Sequence, residues 1–485
     1  MADPRNTLQH LFAKEARFDN FGEVLVSLHV QGFRCHTNTL IEVESPITAF
    51  SGLNGTGKST LLQLSAVAYN HGLGTGGRYH ISSFVVSGKL DPQPYTDAAS
   101  VEYGYWQANR TPRKLTVTRR ITLKRWSGYR SQPSRQVYFA GMGLYLPQIE
   151  TRDYAVLNAK TLQILDCKPL AADAKQWVEK ILGNYYDGLD RNTIKHPKQA
   201  RSVVTAARGT AHYSEANMGC GEGRVQHVIQ QLENLPERSL VLFEEPETSL
   251  HQSAQFALGS YLIDVCTRRR HQVFLTTHSE SLLAALHSAS RIYLDRGPNE
   301  IRPIAGLSGT QAASLMGGGA VKALHVLVED DVAKTVLQEI VRLSDAQFLK
   351  VIGVHPVGDK GTIQKAMQAL TGKGIPIAAV RDGDVGQNPG QNLFSLPGNE
   401  PPEIEVLQKC PEVAQMLLAE YGLNLQDFMA TAAPDEHHGW FPKLSAATAC
   451  ERAVVVAACA RIYARSLPAN TRDALVQQLK AAITR

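Results

Sequence analysis

Residues 47–60 read ITAFSGLNGTGKST, and the reading of this stretch decides the fold. An apolar run from Ile47 to Phe50 leads into a loop with the spacing Gly-x4-Gly-Lys-Ser, from Gly52 to Ser59, and TLLQLSAVAY leaves it with helical periodicity. A strand feeding such a loop and a helix departing from it predict a parallel α/β layer. The pattern suits phosphate binding. Glycines at 55 and 57 let backbone N–H groups approach an anion, the helix start adds partial positive charge, Lys58 can reach terminal phosphates, and Ser59 can ligate Mg²⁺. The candidate contacts are Asn54, Gly55, Thr56, Gly57, Lys58, Ser59 and Thr60.

A second stretch, SLVLFEEPETSLHQ at 239–252, supplies the complement. A buried strand ending in two carboxylates can offer one to a magnesium shell and the other to a water. In strand-end order Glu244 is the metal-side acid and Glu245 the general base or water-positioning group.

The 485 residues exceed one ordinary domain of about 100–200 residues, so two or three units are expected. With 43% hydrophobic and 20% charged residues the chain is globular in composition, which excludes disordered and collagen-like classes. A net charge of +5 permits a nucleic-acid partner without requiring one. Seven cysteines without a CxxC pair exclude a zinc ribbon and a disulfide scaffold, and point to a reducing cytoplasm. The N-terminal stretch lacks the apolar core of a signal peptide, and ERAVVVAACARIYAR is broken by charge before it could span a bilayer, so no membrane association is expected.

Along the chain, residues 23–51 read as β-rich; VEYGYWQ, LTVTRRITLKRW and RQVYFAGM also read as strands, and helices are expected around 157–190. Further helices are predicted near 225–235, 253–267 and 280–286, with SLVLFEE and QVFLTTH as buried strands. A second α/β rhythm begins at ALHVLVEDD and forms a βαβαβ unit, which places a boundary near residue 310.

The first part resembles the ABC-type ATPases of the SMC and RecF kind, over roughly residues 23–300. Five motifs of that family occur in its order: GLNGTGKST, the signature loop MGCGEGR, the acidic strand LVLFEEPE, the D-loop TSLH, and the switch FLTTHSE. The resemblance implies that two protomers sandwich two ATP molecules with Mg²⁺. Gly219, Gly221 and Glu222 would touch the γ-phosphate bound by the partner, and His278 would sense it. Two positions depart from the family pattern: Glu244 stands where an aspartate is usual, and Gly219 where the signature has serine. The second departure costs a hydroxyl contact and is expected to slow turnover.

The interval between the P-loop and the signature loop lacks heptads, so a compact β-rich arm is expected instead of a long coiled coil. From Arg110 to Arg135 it carries nine lysines and arginines and no acid. Arg120, Lys124 and Trp126 fall on one face of a strand by period two, either as an ordinary exposed face or as a contact for nucleic acid or a partner.

In the second part, Glu329 ends one strand, and Asp382 and Asp384 end another in RDGD. That order of acids resembles a TOPRIM fold. Such acids converge at the C-terminal edge of a parallel sheet and could hold one or two Mg²⁺ for phosphodiester chemistry. The alternative is a polar turn. The resemblance has a second acid four residues after the glutamate, where this chain has Ala333, with Asp330 and Asp331 placed early. Glu403, Glu405 and His437-His438 near Lys443 are candidates to complete an altered site.

The whole chain then resembles the OLD family and related Septu-type anti-phage ATPases. The expected fold is α/β: an ABC-type P-loop ATPase head (1–310, insertion about 75–215), then a TOPRIM-like βαβαβ domain with C-terminal helices (311–485). The resemblance implies a homodimer or higher oligomer, an effector or nuclease partner protein and a nucleic-acid ligand. A self-contained metal-dependent nuclease and a DNA-repair clamp are the alternatives.

Overall fold

The computed structural model describes residues 3–72, 78–120, 125–144, 162–195, 201–297, 300–316, 322–370, 376–432 and 436–483. The chain divides into two compact units, Met1–Met316 and Gly317–Arg485.

The first unit is organised on a seven-stranded sheet in the order Ile301–Ala305, Arg291–Arg296, Ile47–Gly52, Gln272–Thr276, Leu240–Glu244, Gln136–Ala140, His71–Gly72. All neighbours are parallel except the edge strand Ile301–Ala305. Its central strands are apolar at nearly every position because both faces are covered. Alternation along each strand sorts the side chains. Ile47, Ala49, Val241, Phe243, Val273 and Leu275 join one core with the helices Cys220–Asn234 and Gln252–Arg269. Phe50, Leu240, Leu242 and Phe274 join the other, against the helix Lys58–Ala66 and a five-stranded antiparallel sheet.

That antiparallel sheet runs in the order His36–Glu42, Leu25–Phe33, Tyr95–Trp106, Pro112–Arg120, Arg125–Ser127. It corrects the basic-ribbon reading of Trp126. The Trp126 ring stacks on Phe33 at 5.3 Å between centroids and meets Tyr95 edge-on at 5.2 Å, so it is a packing residue rather than an outward stacking platform. Four of the neighbouring charges have partners within the chain, Lys114 and Arg120 at the surface. Lys114 pairs with Glu102 at 2.8 Å, Arg119 donates to the Tyr95 hydroxyl at 2.7 Å, Arg120 donates to Ser127, and Arg135 is buried with its guanidinium on the Phe21 and Glu23 carbonyls. Lys124 lies outside the described residues.

Of the helices expected around 157–190, the part at 157–161 lies outside the described residues; among the described residues there is one, Ala172–Leu182, flanked by the strands Ile164–Pro169 and Gly188–Ile194. With Arg201–Arg208 and Ala211–Ser214 these strands form a four-stranded antiparallel sheet. The strand Ile164–Pro169 is exposed at all six positions, so it carries no alternation for pattern reading to find.

The second unit holds a four-stranded parallel sheet in the order Ile352–Pro356, Leu324–Val328, Ile377–Arg381, Leu393–Ser395. Amphipathic helices cover it, among them Asp331–Ser344, and six further helices between Pro402 and Ala482 complete the described part of the unit. Among the described residues no helix is long and apolar enough to cross a membrane.

Candidate nucleotide site and carboxylate cluster

The loop after Ile47–Gly52 is shaped by backbone conformations that side chains resist. Gly52, Gly55 and Gly57 have φ of +144°, +79° and +78°. Gly57 is also crowded: a Cβ there would lie 2.1 Å from His36 Nε2 and 2.7 Å from Cys35 Sγ. The hairpin between Leu25–Phe33 and His36–Glu42 brings His36 to this spot. There its fully buried ring reaches the Gly57 carbonyl at 3.1 Å and Thr39 Oγ1 at 3.1 Å.

Gly57 caps the helix Lys58–Ala66, whose first N–H groups have no intrahelical acceptor. Thr56 is buried and donates to the Leu53 carbonyl at 2.8 Å. Lys58 folds back, its ammonium donating to the carbonyls of Gly52 at 2.9 Å and Leu53 at 3.1 Å. Burial lowers its pKa, and the charge of Glu245 opposes that shift. Asn54, Gly55 and Ser59 are exposed at the mouth of the loop, and Thr60 is buried behind it.

The acidic strand arrives at the same edge. Its last residue, Glu244, is level with Thr276, and Thr276 is level with Phe50, so the ends of three adjacent parallel strands align. At a strand spacing of about 4.8 Å, the acidic strand and the P-loop strand are about 10 Å apart, with one strand between them. Glu245 then takes a left-handed conformation, φ +44°, which costs a non-glycine residue about 1–3 kcal/mol. Its neighbours hold it there. Its N–H donates to the Thr276 carbonyl at 3.1 Å and to Thr276 Oγ1 at 3.2 Å, and its own carbonyl accepts from Arg224 at 3.4 Å.

His278 Nε2 lies 3.6 Å from Glu245 Oε1. Burial first, and then the nearby Lys58 charge, lower the His278 pKa. Near neutral pH the ring is therefore a neutral polar partner of Glu245 instead of an ion-pair cation. Glu247 fixes the segment from below. Its Oε1 accepts from the Thr277 hydroxyl and from the His278 N–H at 3.2 Å, while burial raises its pKa to about 7.

The signature-loop residues lie at the start of Cys220–Asn234. Gly219 is exposed with open space around it, whereas a Cβ at Gly221 would lie 2.6 Å from the Ser249 carbonyl. The Glu222 carboxylate accepts from the hydroxyls of Tyr186 and Tyr213, each at 2.8 Å. It is thus engaged within its own chain.

The residues present fit a nucleoside triphosphate with magnesium. Backbone donors on a glycine-rich loop, one buried ammonium and two strand-end carboxylates provide the anion and cation contacts such a ligand needs. Bound Mg²⁺ would neutralise phosphate charge; Ser59 and Glu244 could hold it, and Glu245 could orient a water. Sequence reasoning missed His36, Thr276 and Arg224, which brace the loop and Glu245 from distant segments. Arg224 and Thr276 had a signal, as members of MGCGEGR and FLTTHSE; His36 had none.

In the second unit the acids also gather. Glu329 follows Leu324–Val328, and Asp382 follows its parallel neighbour Ile377–Arg381. Asp382 is 8% exposed, and its Oδ1 has no hydrogen-bond partner among the described residues. Burial, then the charges of Glu329, Asp330, Glu403 and Asp384, push its pKa up to about 8. Burial likewise raises Glu329, which nevertheless accepts the Asp382 backbone N–H. A Cβ at Gly383 would lie 2.8 Å from the Gly398 carbonyl, so Asp-Gly-Asp admits no larger middle residue without displacing that loop. Asp330 caps the helix Asp331–Ser344 by accepting from the Ala333 N–H at 2.8 Å, and Ala333 is wholly buried. Of the later candidates, Glu403 faces the cluster. Glu405 is turned to Lys409 at 3.0 Å and the Asn399 N–H at 2.9 Å. The buried Asp382, the half-buried Glu329 and the exposed Asp384 at the C-terminal edge of a parallel sheet are a donor set suited to a hard divalent cation.

Comparison with known proteins gives two family matches, both in the first unit. Residues 27–125 match a model described as "AAA domain", and residues 180–284 one described as "AAA domain, putative AbiEii toxin, Type IV TA system". Among solved structures, an SMC head domain from Thermotoga maritima is 14% identical, with 58% of this chain and 98% of that one covered and a TM-score of 0.35. An Smc head from Pyrococcus furiosus, bound to the C-terminal domain of ScpA, is 13% identical, with 61% and 99% covered and a TM-score of 0.36. An SmcHead bound to the C-winged helix domain of ScpA is 14% identical, with 59% and 98% covered and a TM-score of 0.40. Comparison with curated proteins finds no match. The two AAA-domain matches, which cover the glycine loop on one side and the acidic strand and His278 on the other, support a P-loop ATPase as the activity of the first unit.

Proposed function

We propose that the first unit binds and hydrolyses ATP with Mg²⁺, and that ATP held between two copies of the chain closes a dimer that governs action on nucleic acid. The observation that carries this reading is the alignment of Phe50, Thr276 and Glu244 at one sheet edge, which sets the glycine loop, His278 and Glu245 around a common space. In this reading Asn54 to Thr60 and Lys58 hold the phosphates, Ser59 and Glu244 the metal, and Glu245 the water, with His278 polarising Glu245. The exposed Gly219 would face the partner's nucleotide. An anti-phage role, with an effector protein as partner, rests on the combination of the ATPase motifs with the TOPRIM-like order of acids, which resembles the OLD family and Septu-type ATPases, and the toxin named in one family description is in keeping with it.

The test is Glu245→Gln. A glutamine keeps the shape and the backbone contacts but cannot take a proton, so turnover should fall ~10²–10⁴-fold while ATP binding persists and light scattering reports an ATP-dependent dimer. Hydrolysis at the wild-type rate would remove Glu245 from its role.

The carboxylates around Asp382 favour a second reading, in which the second unit is a TOPRIM-like, metal-dependent phosphodiesterase in its own right. Plasmid nicking with Mg²⁺ or Mn²⁺ that disappears in Asp382→Asn supports it; identical traces remove it.

A further inference from the structure

Beside the acids of the second unit lies a group of different chemistry. Glu403 sits in the first turn of the helix Pro402–Leu407, and His437 and His438 form the short turn His437–Gly439. One ligand atom from each of the three lies within 4.8 Å of the others. His438 Nδ1 is 3.5 Å from Glu403 Oε1, and the two imidazole centroids are 4.0 Å apart with planes inclined at 44°. Glu403 is 2% exposed, and its second oxygen, Oε2, has no hydrogen-bond partner among the described residues. A buried carboxylate oxygen without a donor has lost its water and gained nothing in return, so it calls for a cation. The histidines rise from the protein surface toward it, His437 half-buried and His438 exposed, which leaves an open approach.

We propose that Glu403, His437 and His438 form a binding site for a borderline transition-metal ion of the Zn²⁺ class, chemically distinct from the all-carboxylate cluster around Asp382. Two imidazoles and one carboxylate are ligands that Zn²⁺ accepts readily at about 2.0–2.2 Å, whereas Mg²⁺ demands oxygen donors in an octahedron. Three protein ligands leave a fourth position for water or a phosphate oxygen. Asp330, Asp382 and Glu403 are near enough to act on one another's charge, so a metal at Glu403 would add positive charge beside the carboxylates and favour their ionised forms. The inference stands apart from the ATPase reading, because every ligand belongs to the second unit.

The experiment uses the full-length chain stripped with a chelator and titrated with Zn²⁺ by calorimetry, and with Co²⁺ by visible absorption. Wild type should take up one tight Zn²⁺ per chain, and Co²⁺ should give the visible band of a four- or five-coordinate nitrogen and oxygen site. His437→Ala combined with His438→Ala should weaken Zn²⁺ binding at least ~100-fold and abolish the band, and Glu403→Gln should weaken it at least tenfold. An unchanged melting temperature and unchanged Mg-ATP affinity would show that both variants fold. Mg²⁺ at millimolar concentration should not displace Zn²⁺. Wild-type Zn²⁺ affinity in the double variant, absence of a tight equivalent in wild type, or displacement by Mg²⁺ would each overturn the assignment. Loss of ATP hydrolysis in Glu245→Gln with Zn²⁺ uptake intact would separate the two sites.

Discussion

Replacing Glu247 by glutamine should abolish a pH dependence of stability that the wild-type chain carries. Glu247 is 5% exposed, accepts from Thr277 and the His278 N–H, and leaves Oε2 unpartnered among the described residues. Burial lifts its carboxyl from 4.5 to about 7. Because the folded-state pKa is the higher one, the folded chain binds more protons than the unfolded chain between these values, and stability falls as pH rises through them. The contribution is fully present below about pH 4.5 and lost above about pH 7. Each pH unit is worth 1.36 kcal/mol, so the loss comes to about 3 kcal/mol. Glutamine is neutral throughout and its carbonyl oxygen can still accept from Thr277 and His278, so it should escape the loss. Unfolding entropy of ~2.1 cal/mol/K per residue gives the Met1–Met316 unit ~0.7 kcal/mol/K, which converts the difference to a Tm shift of ~4–5 °C. The assay is differential scanning calorimetry of wild type and Glu247→Gln from pH 5 to pH 8.5. The variant should gain on wild type steadily up to pH 7–8 and then hold its lead. A difference in Tm that is the same at pH 5 and pH 8.5 would refute the reasoning.

Three further outcomes follow from the geometry. Lys58→Ala removes the ammonium folded onto the loop carbonyls and should weaken ATP binding at least ~100-fold by calorimetry, without shifting the melting temperature downward by more than a degree or two. Gly57→Ala forces a Cβ into φ +78° and against His36; the conformation alone costs about 1–2 kcal/mol, so both Tm and nucleotide affinity should fall, whereas Gly55→Ala, with 3.9 Å to its nearest neighbour, should affect Tm less. Trp126→Ala should destabilise by about 2–4 kcal/mol in a denaturant melt through loss of the Phe33 and Tyr95 contacts, and leave the DNA affinity of the folded fraction unchanged.

What the sequence determined by itself was local. The strand, glycine loop and helix from Ile47 to Ala66 are written in adjacent residues, since apolar runs, positive-φ glycines and helical spacing act over a few positions. For the same reason Glu244 and Glu245 at a strand end, and Glu329, Asp382 and Asp384 at two others, were legible as pairs of acids on turns. Tertiary structure decided which of these turns meet. Sheet order places Gln272–Thr276 between the P-loop strand and the acidic strand, and only that pairing makes Phe50, Thr276 and Glu244 level. It also sent Trp126 inward, divided Glu403 from Glu405, and brought His437 and His438 to a carboxylate more than thirty residues earlier. Such contacts join segments with no shared periodicity, so no window of sequence contains both partners. The packed sheet edges and helices that bring them together exist only after the whole unit has folded.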